Sequence, residues 1–266
     1  MSELNPILKQ YAAANKPSDI FAGCEALTVK AMHIQNVLRY TQKLYDTMSP
    51  GLRIDSALLF FCAEHHDDGR VNQYKILGKF DDRTLSHNVF GVERFDKWIQ
   101  QNHFVAPFGT CIQIFRDVML YHGRLNLCIT AESKPYVELI TAADDIDNAA
   151  SCVSYLIREI DTDAKSYVKS APNKNQKLAS VFVFEHFANG EKFDKMKYCT
   201  TYAEYVLFAA TLMTSCIKKY NFAKDLLNHP GYGYPSILEG YKHVFEYALT
   251  PDLAKKAYDV LFSYAQ

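Results

Sequence analysis

Apolar residues recur at intervals of three and four through most of this chain, and alternating apolar–polar runs are almost absent. That periodicity predicts helices. The first pattern covers residues 18–48, with Ser18 as N-cap and Pro50 and Gly51 as the stop. Ile20, Cys24, Leu27, Ala31, Ile34, Leu38 and Tyr45 form one stripe, and Ala26, Val29, His33, Val37, Tyr40 and Leu44 form its neighbour. A helix apolar over that width is expected to be largely buried, which points His33 inward.

The next pattern, 54–66, places Leu59, Cys62 and His66 on one face and reads Gly69 as its C-cap. Residues 72–83 are short and polar and predict a loop. A helix from His87 ends near residue 101 and carries the single tryptophan, Trp98. Over 111–122, Phe115, Val118, Met119 and His122 share a face. From 135 to 160, Val137, Ile140, Asp144, Asp147 and Ser151 lie along one side, so carboxylates interrupt an otherwise apolar stripe. Residues 161–177 predict a linker, followed by an apolar run at 181–187 and helices near 202–220, 236–248 and 251–264. The expected fold is all-α: a helical bundle over 1–170 and a C-terminal helical extension over 171–266, packed on the same core.

Composition changes this picture little. A chain of 266 residues, 48% hydrophobic, can bury a sizeable core. The 29 basic and 30 acidic residues nearly cancel, which leaves no broad basic field for nucleic acid. There is no run of eighteen apolar residues and no secretory pattern at the amino terminus, so a cytoplasmic protein without a membrane span is expected. Seven scattered cysteines without a C-x-x-C pair read as reduced core residues.

The inward-facing polar residues, in order, are His33, then His66 and Asp67, then Asp144, each set on a different helix. Alone, His33 reads as a hydrogen-bonded core histidine. Imidazoles and carboxylates converging from several helices are how a bundle builds a metal site. The order H…HD…D resembles the HD superfamily of metal-dependent phosphohydrolases. The run Leu58 through Arg70, ending His65-His66-Asp67-Asp68-Gly69-Arg70, is similar to that family's apolar helix closing on His-Asp and a Gly-basic pair. Ala143-Asp144-Asp145-Ile146-Asp147 is similar to its distal acidic segment.

The resemblance implies one or two divalent ions (Mn, Mg, Fe, Co, Ni or Zn) held by His33, His66, Asp67 and Asp144, with Asp67 able to bridge two. His87 and His122 are the expected ligands of a second ion, with His103 also in that interval. The implied chemistry is hydrolysis of a nucleotide or similar phosphorylated small molecule by a metal-activated hydroxide. Arg70 would meet the phosphate, and Asp68 and Asp147 would move protons or orient ligands. His65, about 100° around the helix from His66, is expected to face away, and Asp145 to face solvent. Two other functions are open: a di-iron oxygenase, which needs His87 and His122, and a non-catalytic nucleotide-binding or interaction protein in which the C-terminal helices after Lys177 do the work. His229 to Pro235 resembles the Gly-Tyr-Pro signature of HD-GYP phosphodiesterases but follows Asp144 where that signature precedes the distal Asp, so it reads as a turn.

Overall fold

A computed structural model describes residues 3–23, 25–47, 54–80, 82, 84–105, 109–124, 128–162, 175–220, 222–230 and 234–266. The fold is all-α, and among the described residues no sheet forms. No helix there is long and apolar enough to cross a membrane. Cys24, Pro50, Gly51, residues 163–174 of the expected linker and 231–233 of the expected turn lie outside the described residues. The chain divides into two compact units, Met1–Asp144 and Asp145–Gln266.

In the first unit, α1 (Pro6–Ala14) and α2 (Pro17–Ile20) precede α3 (Glu25–Asp46) and α4 (Ser56–His65). Then come α5 (Gly69–Leu77), α6 (His87–Gln101), α7 (Thr110–Tyr121) and α8 (Lys134–Thr162), the last of which runs on into the second unit. Helix α3 packs on α4, α4 on α7, α5 on α6 and α6 on α7. The buried side of α3 draws on both predicted stripes: Leu27 and Ile34 of the first and Ala26, His33, Val37, Tyr40 and Leu44 of the second are out of solvent, whereas Val29 is half-buried.

Three expectations for this unit are corrected. The helix expected over 18–48 is broken between Ile20 and Glu25, where Gly23 adopts a positive φ of 109° that a continuing helix does not permit. The loop expected over 72–83 is helical as far as Leu77, and Gly78, at φ 63°, ends that helix. Gly69 is therefore not a C-cap. It begins α5, where a Cβ would lie 2.0 Å from the His87 carbonyl oxygen and 2.5 Å from the Gly91 nitrogen. Glycine is needed there because two helices meet backbone to backbone.

The second unit continues α8 and adds α9 (Val181–Asn189), α10 (Lys195–Tyr198), α11 (Tyr202–Lys219), α12 (Ala223–Leu227), α13 (Ile237–Ala248) and α14 (Pro251–Ala265). Helix α11 is its centre, packed by α9, α13 and α14. Its start is set by a capping box between Thr201 and Glu204. The Glu204 carboxylate also accepts from the Ser180 amide at 3.0 Å and from the Thr200 amide at 2.8 Å, which ties the start of α9 to that of α11. Substituting Glu204→Ala strands these donors, and an unfolding free energy lower by about 2–3 kcal/mol is expected in denaturant titration. A loss under about 0.5 kcal/mol would show that the carboxylate does not fasten the two helices.

The cysteines differ from expectation as well. Cys62 and Cys216 are buried, but Cys128 is exposed and Cys111, Cys152 and Cys199 are half-buried.

Candidate metal centre

The side chains of interest reach one place by simple local means, all within the first unit. His33 projects from the buried stripe of α3, with Lys30 one turn before it on the same side. The α4 helix is capped at its amino end by Asp55, which accepts from the Leu58 amide, and at its carboxyl end by His66 itself. A tight turn through Asp67 and Asp68, closed by the Arg70 amide donating to the Asp67 carbonyl at 2.8 Å, leads directly into α5. The close approach at Gly69 then sets His87, first residue of α6, beside Asp67. His122 caps α7, and Asp144 comes from α8.

These groups converge. His33 Nε2 lies 3.0 Å from Asp144 Oδ1 and 3.6 Å from Asp67 Oδ2. His66 Nε2 is 3.9 Å from Asp144 Oδ1. The other Asp67 oxygen, Oδ1, is 3.3 Å from His87 Nε2 and 3.7 Å from His122 Nε2. Donor atoms of His33, His66 and Asp144 lie within 4.8 Å of one another, as do those of His66, Asp67 and His122. These buried His/Asp groups can hold a metal ion. Asp67 offers one oxygen to the His33 side and one to the His87 and His122 side.

The outward ring nitrogens fix what the inward ones present. His66 Nδ1 donates to the Ala63 carbonyl at 2.8 Å and His122 Nδ1 to the Val118 carbonyl at 2.8 Å. His87 Nδ1 meets Asp82 Oδ1 at 2.6 Å. A carbonyl or carboxylate only accepts, so in each neutral ring the hydrogen sits on Nδ1 and Nε2 carries a bare lone pair. His66 Nε2 is buried without a hydrogen-bond partner among the described residues. The Nε2 atoms of His87 and His122 face each other at 3.1 Å, lone pair toward lone pair. Two ligands at ~2.1 Å and a right angle around one ion stand ~3.0 Å apart, so the donor set fits a metal.

Electrostatics agree with that description. Burial drives the His66 pKa down to about 3 against the pull of Asp67, and burial together with the Arg70 charge takes His87 down to about 4. Both rings are neutral at pH 7, as ligands must be. Burial opposes ionisation of Asp67, but Lys30 and Arg70 outweigh it and hold the carboxyl well below its usual range. Lys30 Nζ is 2.9 Å from Asp67 Oδ2 and Arg70 Nε is 3.5 Å from Asp67 Oδ1. Both cations lie within 6 Å of the Phe80 ring centroid. Their side chains remain 15% and 14% exposed, so they stand where the buried cluster reaches solvent.

All six ligand residues expected from sequence are thus brought together. Arg70 is beside them. Asp68 is turned into a different buried network, accepting from Tyr11 Oη at 2.8 Å and lying 3.0 Å from His65 Nδ1. Its partner His65 faces away from His66, as expected. Asp147 follows Asp144 by one helical turn and is buried in the second unit. His103 is exposed after α6. Asp145, expected in solvent, is buried and paired with Lys192, because this part of α8 is enclosed around most of its circumference.

Two residues were not foreseen. Lys30 was legible, since it stands three before His33 on one helix face. Asp82 was not, because a loop residue five before His87 has no periodicity to mark it.

No protein-family model, curated protein or solved structure matches this chain.

Proposed function

We propose that this protein is an HD-type metal-dependent phosphohydrolase or phosphodiesterase acting on a nucleotide or similar phosphorylated small molecule. The observation that carries the proposal is the set of inward Nε2 atoms gathered around Asp67, with the Nδ1 atoms of His66, His87 and His122 turned to acceptors and two partly exposed cations at the edge. His33, His66, Asp67 and Asp144 would hold one divalent ion. Asp67, through its other oxygen, would hold a second together with His87 and His122. Metal bound there supplies a Lewis acid that acidifies water and neutralises charge on a phosphoryl group.

The chain's own residues do the rest. Lys30 and Arg70 stand where they can meet phosphoryl oxygens as charges. Aromatic support from Phe80 keeps both side chains extended beside Asp67. The carbonyls of Ala63 and Val118 hold the ligand rings in the one tautomer that binds metal, so little reorganisation is needed when an ion or substrate arrives.

The test is purified protein loaded with Mn²⁺ or Mg²⁺ and offered nucleoside mono-, di- and triphosphates and phosphodiesters. Release of phosphate or nucleotide from at least one class, stopped by a chelator, is expected; no release from any class overturns the proposal. The presence of six donors also favours a second reading, a di-iron oxygenase. Iron-loaded protein that consumes oxygen and hydrolyses no phosphoester would select it.

A further inference from the structure

Asp82 lies outside the ligand set, yet it is bonded to groups on both sides of it. Its Oδ1 is 2.6 Å from His87 Nδ1, 3.2 Å from the His87 amide nitrogen, 2.9 Å from Gln73 Nε2 and 3.1 Å from Arg70 Nη1. Its Oδ2 is 3.0 Å from Arg70 Nη1. Gln73 is in turn tied to the Leu85 carbonyl at 2.6 Å and to Arg70 Nη1 at 2.8 Å. His87 and Arg70, the two side chains so held, both approach the same oxygen, Asp67 Oδ1, at 3.3 Å and 3.5 Å.

The three histidines with an outward partner are not tethered alike. His66 and His122 are locked by main-chain carbonyls of the helices they end, which no side-chain substitution removes. His87 opens its helix, where amides rather than carbonyls are unsatisfied, so no carbonyl of its own helix is in reach. A side-chain carboxylate must supply the acceptor. Asp82 is that carboxylate, and it also takes up the His87 amide at the helix start.

We propose that Asp82 is a positioning residue for the His87 and His122 half of the centre: it places the hydrogen of His87 on Nδ1, aims Nε2 at His122 and Asp67, and fixes Arg70 at the same oxygen. This rests on the metal reading above and deepens it, because it makes the second ion dependent on a residue that touches neither ion. Removal of Asp82 lets His87 place its hydrogen on either nitrogen and rotate. In the His33, His66 and Asp144 half, His66 keeps its Ala63 carbonyl and none of the three touches Asp82, so this half is left intact.

The experiment has two arms. In the first, metal-free protein is titrated with Co²⁺ and followed by visible absorbance. Wild type is expected to fill in two steps. Asp82→Ala should keep one step and weaken the other by about 10–100-fold, and Asp82→Asn, which retains an oxygen acceptor, should fall between. A merely structural loss would weaken both steps together and lower the unfolding temperature of the metal-free protein. In the second arm, imidazole ¹⁵N shifts of the metal-free protein report where the His87 hydrogen sits: on Nδ1 in wild type, divided between the two nitrogens in Asp82→Ala. Unchanged binding of both ions in Asp82→Ala, or a His87 hydrogen on Nε2 in wild type, overturns the proposal. Wild type that binds no ion removes the metal reading instead, and the ¹⁵N shifts then decide alone whether Asp82 positions His87.

Discussion

His66→Ala empties the centre. The expected result is a protein that copurifies with no stoichiometric metal and hydrolyses no phosphoester above background. The loss should exceed the roughly 10–100-fold that follows from disturbing a group outside the ligand set. His66 has this weight because its donor atom converges both with those of His33 and Asp144 and with those of Asp67 and His122. Asp67 is the other residue that faces both sides, one oxygen toward each. Elemental analysis and phosphate release check the two halves of the result. The variant also loses the Nδ1 bond to the Ala63 carbonyl and leaves a cavity, so a modest drop in unfolding temperature is expected beside the loss of metal, and a fold retained by circular dichroism separates the two. His103→Ala, exposed after α6, should change nothing. Retention of wild-type metal content by His66→Ala would remove the centre from consideration.

The second large effect comes from a residue with no side chain. In Gly69→Ala the new methyl would sit 2.0 Å from the His87 carbonyl oxygen and 2.5 Å from the Gly91 nitrogen, both backbone atoms that cannot swing aside. Helices α5 and α6 must separate. A loss of at least about 3 kcal/mol is expected, at the upper end of what overpacking costs. For a chain of this size that is roughly 6–12 °C in unfolding temperature. The separation carries His87 off Asp67, so any folded fraction should bind less metal. A variant as stable as wild type would mean that the two helices do not meet as described.

Much of the candidate site was legible because its residues lie on periodic helices. His33 was placed by the stripe through Val37, Tyr40 and Leu44, and His122 by its register with Phe115 and Val118. Asp144 was visible as a carboxylate in an apolar row. The helices that escaped notice are those with little apolar stripe to show. In α1 only Leu8 and Tyr11 are buried, and in α5 only Gly69, Val71 and Gln73. The break before α3 depends on the backbone conformation of Gly23, and the role of Gly69 on a contact between segments that are eighteen positions apart in sequence. Neither leaves a local signal. Asp145 misled because helical phase says which residues share a face, not how many faces are covered.

His66 and His122 are each the residue on which a helix stops, and each ring is held by a carbonyl of the last turn of that helix, the Val118 carbonyl accepting the His122 amide as well. The last turn of a helix is usually where it frays. In this chain those carbonyls serve as the hinge pins of the ligand rings, so on the metal reading, thermal fraying of α4 or α7 and release of the ion are one event seen from two sides. Affinity for metal would then be a measure of how well two helices end.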